Sequence, residues 1–348
     1  MSFSHLTRGQ GIFMFSTRIH SPWLWIAVPA VLLVFGFLFR RFAEAREAKY
    51  SKPPGELLNI RGRRLHVIRR GVGAPTVVLE SGGASSSAMW WPIQDRLAAH
   101  TTVIAYDRAG LGWSDAAPLP RTIKGSVDDL GMLLQKFNAS PPYVLVGLSY
   151  GGPVIRAYAA RHPHQIAGMV FIDIPHEVVF TTPGAQTYLR RASFVLRVVG
   201  RLAQISFLRL LRVRGLADSS TALPYTAEQR EALSSRFPTA VSFFTGASEF
   251  AAMLQIGDEM KGLGKPGLLG STPVAVISHG NPYPGPFAVL ETNHLQGQQE
   301  LAALSNNSVL IVAKNSSHAI PLEEPEVVLD AINRVVESAR NGIPLNPM

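Results

Sequence analysis

Tyr143-Val144-Leu145-Val146-Gly147-Leu148-Ser149-Tyr150-Gly151-Gly152 is the stretch on which the fold turns. Its four leading apolar residues predict a strand buried on both faces. A G-x-S-x-G pattern, Gly147 to Gly151, follows at once and runs into Pro153–Ala160, a segment with helical composition. A serine on a sharp strand-to-helix turn needs small neighbours, because its backbone is strained and strand and helix approach closely. The pattern alone is short enough to arise by chance. The strand before it and the helix after it separate it from an ordinary glycine-rich turn.

Working outward, the same kind of short apolar run recurs at Thr76–Glu80, Thr102–Tyr106, Gly168–Asp173, Pro273–Ser278 and Ser308–Ala313. Leu57–Ile60 and Arg63–Arg69 predict a hairpin about Gly62, and Ser126–Phe137 and Glu326–Arg340 predict amphipathic helices. Strands alternating with helices in this way predict an α/β fold with a mostly parallel twisted sheet flanked by helices. No internal repeat or low-complexity tract interrupts the pattern.

A serine hydroxyl is a poor nucleophile until a base takes its proton. Of the ten histidines, His5 and His20 precede an apolar segment, and His66 and His100 precede the serine. His162 and His164 end the helix that follows Ser149, where they suit capping. His318 lies directly after the last strand, at the edge of the sheet that also carries Ser149, and is the expected base; His279 and His294 are the runners-up. A third group should hold the imidazole. Asp173 closes an apolar strand and is the expected acid, with Asn281 and Glu291 as fallbacks and turn capping as the alternative role for Asp173. A tetrahedral oxyanion needs two N–H donors. Tyr150, after the nucleophile, and Gly83, in the Ser81-Gly82-Gly83-Ala84 turn after Thr76–Glu80, are expected to supply them from the backbone.

Gly147–Gly152 (GLSYGG), Asp107–Asp115 (DRAGLGWSD), the glycine pair at 82–83 and the run SSHAIPLEEPE from Ser316 together resemble the α/β-hydrolase superfamily, in particular its esterase, lipase and haloperoxidase-like members. The resemblance covers residues 55–342. It implies a serine hydrolase that forms an acyl-enzyme on Ser149, and a helical cap inserted at about residues 176–270. Asp107 and Arg108 match a segment with a structural role in that family. Two departures stand out: Ser81 occupies a place where histidine is frequent, and no aspartate lies near Asn281, which resembles members carrying the acid one strand earlier. Dehalogenases and epoxide hydrolases of this fold use an aspartate nucleophile, and Ser149 argues against both.

The chain has 348 residues, 47% hydrophobic and 16% charged, enough to bury a sizeable core. It contains no cysteine, which excludes disulfides, thiolate metal sites and a cysteine nucleophile and leaves the redox compartment open. The four histidines of the carboxyl half show no metal-ligand spacing, and no cofactor is expected.

Pro22–Phe39 holds eighteen residues without a charge, about 27 Å as a helix, against a hydrocarbon core of ~30 Å. Trp23 and Trp25 suit one headgroup layer and Arg40 and Arg41 the other. A retained transmembrane helix over 22–39 is expected, between a tail at 1–21 and a linker at 40–54. A cleaved signal is the weaker alternative, because the A-x-A site at Ala43–Ala45 lies beyond two arginines. Arg40, Arg41, Arg46, Lys49 and Lys52 outnumber Arg8 and Arg18, which favours a cytoplasmic hydrolase domain.

The net charge of +9 points to anionic partners. Within the cap, Tyr188–Leu216 carries seven arginines and no acid, interleaved with apolar residues at helical spacing. It is either a packed helix with a solvated side or a basic surface resting on anionic lipid. No recognition motif for nucleic acid accompanies it. Three functions remain: hydrolysis of small or lipophilic carboxylic esters, aminopeptidase-like cleavage, or non-catalytic binding. Oligomeric state is not legible.

Overall fold

On the central strands, successive side chains enter two separate cores. In β3 (Thr76–Glu80) Val77 and Leu79 face one side and Val78 the other; in β5 (Tyr143–Leu148) Val144, Val146 and Leu148 face one side and Tyr143 and Leu145 the other. This two-sided burial explains why these strands read as continuous apolar runs. The computed structural model describes residues 22–50, 53–206, 225–234 and 238–345. The tail expected at 1–21, and residues 207–216 of the basic stretch with Arg209, Arg212 and Arg214, lie outside them.

Among the described residues eight strands form one sheet: β1 (Glu56–Ile60), β2 (Arg63–Arg70), β3, β4 (Val103–Tyr106), β5, β6 (Ile166–Ile172), β7 (Val274–His279) and β8 (Ser308–Ala313), in the order β1-β2-β4-β3-β5-β6-β7-β8. β1 and β2 form the expected hairpin, turning at Arg61 and Gly62, both with positive φ. β2 also pairs antiparallel with β4, and every other pairing is parallel. The α/β expectation of a mostly parallel sheet is met.

Helices cover both faces. α2 (Trp91–Leu97), α3 (Ile123–Lys136) and α4 (Gly151–Arg161) precede β6, and α5 (Pro183–Gln204), α6 (Ala227–Ser234) and α7 (Ala240–Ala252) lie between β6 and β7. α8 (His294–Ala302) follows β7, and α9 (Pro325–Asn341) closes the domain. α3 starts where the Thr122 side chain accepts from the Gly125 N–H, and buries Ile123, Val127, Leu130, Leu133 and Leu134 at helical spacing. α9 buries Val328, Ile332, Val335 and Val336 on the opposite face of the sheet and ends at Gly342 in the left-handed region.

α1 spans Pro22–Tyr50. It does not stop at Phe39: most of the stretch expected as a linker, 40–54, is helical. Residues 40–50 contain no glycine or proline and are rich in alanine and charged helix formers, and Arg40 pairs with Glu44 one turn on at 3.1 Å. The described helix ends at Tyr50, and Pro53, Pro54 and Gly55 follow in the sequence. Trp25–Arg46 is long and apolar enough to cross a membrane, or to serve as a signal, with a mean hydropathy of 1.9.

Candidate active site

Ser149 sits between β5 and α4 with φ +49°, in the left-handed region that a residue with a side chain rarely enters. Such a residue costs of order 1–3 kcal/mol unless its surroundings over-determine it. Here its N–H donates to the Ile172 carbonyl at 3.1 Å and its carbonyl accepts from the Gly152 N–H at 2.9 Å. The flanking glycines are required by contact: a Cβ on Gly151 would lie 2.5 Å from the Glu80 carbonyl oxygen, and one on Gly147 2.9 Å from the Gly151 carbonyl carbon.

Asp173 follows β6 and also has positive φ, 46°. Its buried carboxylate is surrounded by donors. Oδ2 accepts from His318 Nδ1 at 2.6 Å and from the Tyr283 hydroxyl at 2.9 Å. Oδ1 accepts from His279 Nδ1 at 2.7 Å and lies 3.2 Å from His294 Nε2. Burial alone would raise the Asp173 pKa, but the hydrogen bonds from His279, His294 and His318 overcome it and hold the carboxyl well below the usual range. An ionised carboxylate only accepts, so His318 carries its proton on Nδ1 and leaves Nε2 free to take one.

Of the fallback acids, Glu291 lies 3.1 Å from His279 Nε2 and accepts from the Tyr283 N–H at 2.6 Å, while the Asn281 N–H donates to the Ser316 carbonyl. Neither side chain is hydrogen-bonded to His318, whose Nδ1 is held by Asp173. His279 is thus gripped by two carboxylates. Burial opposes its charged form, but the bonds to Asp173 and Glu291 raise its pKa.

Ser149, Asp173 and His318 line one cavity of about 250 Å³, together with Gly82, Gly83 and Tyr150. The opposite wall is apolar: Val179, Phe180, Leu189 of α5, Phe250 and Met253 from α7 and the turn after it, and Phe287 and Leu290 after β7. Polar groups converging at one end of an apolar pocket fix the orientation of a largely apolar ligand. Among the described residues no acceptor takes the N–H of Gly83 or Tyr150.

The Gly82–Gly83 turn is clamped by a buried ion network. Arg108, after β4, donates to the Ser81 and Gly82 carbonyls at 2.6 Å each, to Glu80 at 2.6 Å, and through Nε to Glu249 of α7 at 2.7 Å. Glu249 in turn accepts from the Ala84 N–H at 2.8 Å. Although burial disfavours its charge, Arg108 is held well above its ordinary pKa by Glu249 and Glu80. Ser81 donates to the Ser86 carbonyl and accepts from Trp90 Nε1, so its side chain serves the turn. Asp107 accepts from the Ser87 and Trp113 N–H groups and from His66 Nδ1, tying that loop together.

The sequence showed no metal-ligand spacing, yet the fold brings ligand atoms of Asp173, His279 and His294 within 4.8 Å of one another. Hydrogen bonds between these groups account for that closeness. The carboxylate a cation would need is also the one that His318 and Tyr283 use.

Sequence reasoning missed Glu249, Glu80 and Tyr283, and weighed His279 and His294 only as bases. Glu249 left a signal: it is the single charged residue in the helix AVSFFTGASEFAA. A lone carboxylate on an apolar helix needs a buried partner.

The sequence profile described as "alpha/beta hydrolase fold" matches residues 75–325. The chain belongs to this family. Other proteins resemble it over most of its length. The Bacillus subtilis (strain 168) protein YqjL is 28% identical over 265 residues, covering 76% of this chain and 84% of its own. Among solved structures, a thermophilic esterase from Thermogutta terrifontis superposes with a TM-score of 0.59 at 22% identity, covering 81% of this chain and 97% of the esterase. A haloalkane dehalogenase from Agrobacterium tumefaciens C58 superposes equally well, at 0.59 and 20% identity over 80% and 96% of the two chains. At these identities the superpositions establish the α/β-hydrolase fold. Different chemistries share it, so the reaction has to be argued from the site.

Proposed function

We propose that this α/β hydrolase cleaves carboxylic esters of small or lipophilic substrates through an acyl-enzyme on Ser149. The observation that carries the reading is the shared cavity: Ser149 on its strained turn, and His318 with Nδ1 held 2.6 Å from the buried Asp173 carboxylate. In the first half-reaction His318 Nε2 takes the Ser149 proton as Oγ bonds to the ester carbonyl carbon. The N–H groups of Gly83 and Tyr150 stabilise the resulting oxyanion. Collapse breaks the bond to the alkoxy oxygen, which leaves with the proton from His318. Water, deprotonated by the same nitrogen, then attacks the acyl-serine carbonyl; the acyl–Oγ bond breaks, the proton returns from His318 to Ser149 Oγ and the acid leaves.

The apolar wall of the cavity supports an apolar acyl or alkoxy group. Ester cleavage is favoured over removal of an amino-terminal residue, because the carboxylate that the described part of the inserted helices brings to the cavity, Glu249, is already engaged by Arg108 and Ala84. The chemistry requires a serine nucleophile, unlike the aspartate chemistry of dehalogenases and epoxide hydrolases. We read α1 as a single-pass membrane anchor rather than a removed signal, since Gly36 in its apolar stretch is buried against Ile205 at the end of α5.

The test is covalent labelling of the full-length protein by a fluorophosphonate, with peptide mapping, beside a panel of p-nitrophenyl esters and aminoacyl anilides. The label is expected on Ser149, with turnover confined to the esters. Ser149→Ala should abolish both label and turnover while leaving folding intact. Undiminished ester turnover in that variant would overturn the serine mechanism.

A further inference from the structure

α5 has two faces that ask for different surroundings. Ala185, Leu189, Ser193, Gly200 and Ala203 are buried; Gly200 packs on the Phe244 ring and Ser193 donates to the Ala247 carbonyl at 2.7 Å. On the outward side Phe194, Val195 and Val198 are 66%, 55% and 42% exposed, and Arg190, Arg191 and Arg197 are exposed beside them. Among the described residues no carboxylate pairs with these three arginines. Large apolar side chains set among uncompensated cations are poorly placed in water, and suit an anionic lipid surface.

A second, independent observation fixes where that face lies. Gly36 is buried although its neighbours on α1 are exposed, and a Cβ there would stand 2.4 Å from the carbonyl oxygen of Ile205, the residue that ends α5. Gly36 falls inside the membrane-crossing stretch Trp25–Arg46, four residues before Arg40. At 1.5 Å per residue the carboxyl end of α5 therefore lies about 6 Å on the apolar side of Arg40. Amphipathic helices lying in a membrane interface sink ~5–10 Å, which matches.

We propose that α5 docks its Phe194–Val198 face into the anionic leaflet beside α1. Its arginines meet lipid phosphates there. Tyr188 and Leu189 of the same helix line the Ser149 cavity, so a lipid-borne ester would lie one helix away from the site. The inference rests on the reading of α1 as an anchor and needs no assumption about catalysis.

The absence of cysteine makes the test direct. Single-cysteine variants of the full chain, Val195→Cys and Val198→Cys, would carry an environment-sensitive fluorophore in phosphatidylcholine vesicles with and without phosphatidylglycerol, using brominated acyl chains as quencher. Phe35→Cys on α1 reports the anchor, and Val72→Cys, between β2 and β3, is the aqueous control. The expected result is loss of most emission at 35, 195 and 198 and none at 72. Quenching at 195 and 198 should require phosphatidylglycerol and weaken with added salt, or with Arg190, Arg191 and Arg197 all changed to glutamine, while Phe35→Cys is unaffected. Emission at 195 and 198 as insensitive as at 72 would overturn the docking while leaving the anchor standing. Equal quenching with and without phosphatidylglycerol would overturn the part played by the arginines. An unquenched label at 35 would overturn anchor and docking together, leaving the esterase reading to its own test.

Discussion

Arg108 Nε lies 2.7 Å from Glu249 Oε1, joining the turn after β4 to a helix inserted between β6 and β7. Both side chains are almost wholly buried, and the same pair holds the Gly82–Gly83 turn through the Ser81 and Gly82 carbonyls and the Ala84 N–H. Removing one partner of such a pair leaves a buried charge short of its counter-ion, at a cost of about 3–5 kcal/mol. Glu249→Ala should lower thermal stability accordingly. Glu249→Gln, which keeps an acceptor for Ala84, should cost less. Both should lower kcat on a short ester more than they raise KM, because in the proposed mechanism the turn they loosen donates to the developing oxyanion. A wild-type melting curve for Glu249→Ala would contradict this account.

His318→Ala should lower kcat by roughly 10⁴-fold or more, since Ser149 then has no proton acceptor. Asp173→Asn should cost a comparable factor by disturbing the Nδ1 proton of His318. Glu291→Gln and Asn281→Ala should cost far less, because Glu291 holds His279 and the Asn281 bond to Ser316 is made by its backbone, which alanine keeps. Steady-state kinetics on one p-nitrophenyl ester ranks the four; a Glu291→Gln loss as large as that of Asp173→Asn would reassign the acid.

The pH dependence of stability follows from His279, which is faced by Asp173, Glu291, Tyr283 and His294. Its pKa is raised, so its contribution is complete below the unfolded value of ~6.5 and is lost as pH rises through the higher folded value. Asp173 acts in the opposite sense: its lowered pKa gives stability above the unfolded value of ~3.9 that is lost as pH falls through the folded one. Urea denaturation above about pH 6.5 should therefore show wild-type stability declining. His279→Gln should begin lower and decline less. Parallel declines would mean that His279 does not carry the effect.

Gly151→Ala places a methyl group 2.5 Å from the Glu80 carbonyl oxygen, where only backbone could yield. A loss of about 1–3 kcal/mol, or failure to fold, is expected, as for other forced overpacking. Gly257→Ala, where a Cβ meets nothing within 4 Å, is the control and should be near neutral in the same denaturation experiment.

The core strands were legible because burial on both faces leaves unbroken apolar runs, and Thr76–Glu80 and Ser308–Ala313 were read to the residue. Ser149 was legible because a strained turn constrains its neighbours to glycine. The end of α1 was not: residues 40–50 are polar enough to read as a linker, and only their helix propensity and the Arg40–Glu44 pair mark them as helix. The partners of Asp173 were hidden for another reason. His279 and Tyr283 lie at and just after the end of β7, His294 opens α8 and His318 follows β8, and spacing along the chain says nothing about which of them meet at one carboxylate. Glu249 is 141 residues from Arg108 in sequence, so the buried pair appears only once the inserted helices have packed.

Asp173 is the first residue after β6, where the chain sets out for its inserted helices, and His279 is the last of β7; they are 106 positions apart and hydrogen-bonded at 2.7 Å. The segment between them, inserted helices and β7 alike, is thus closed by two residues of the polar cluster itself. Loop-closure entropy grows only as the logarithm of loop length, so lengthening or shortening such a tied-off segment costs little. Evolution, or an engineer, can therefore vary the helices between these two residues, resetting which molecules are admitted, provided a carboxylate is kept where Glu249 meets Arg108.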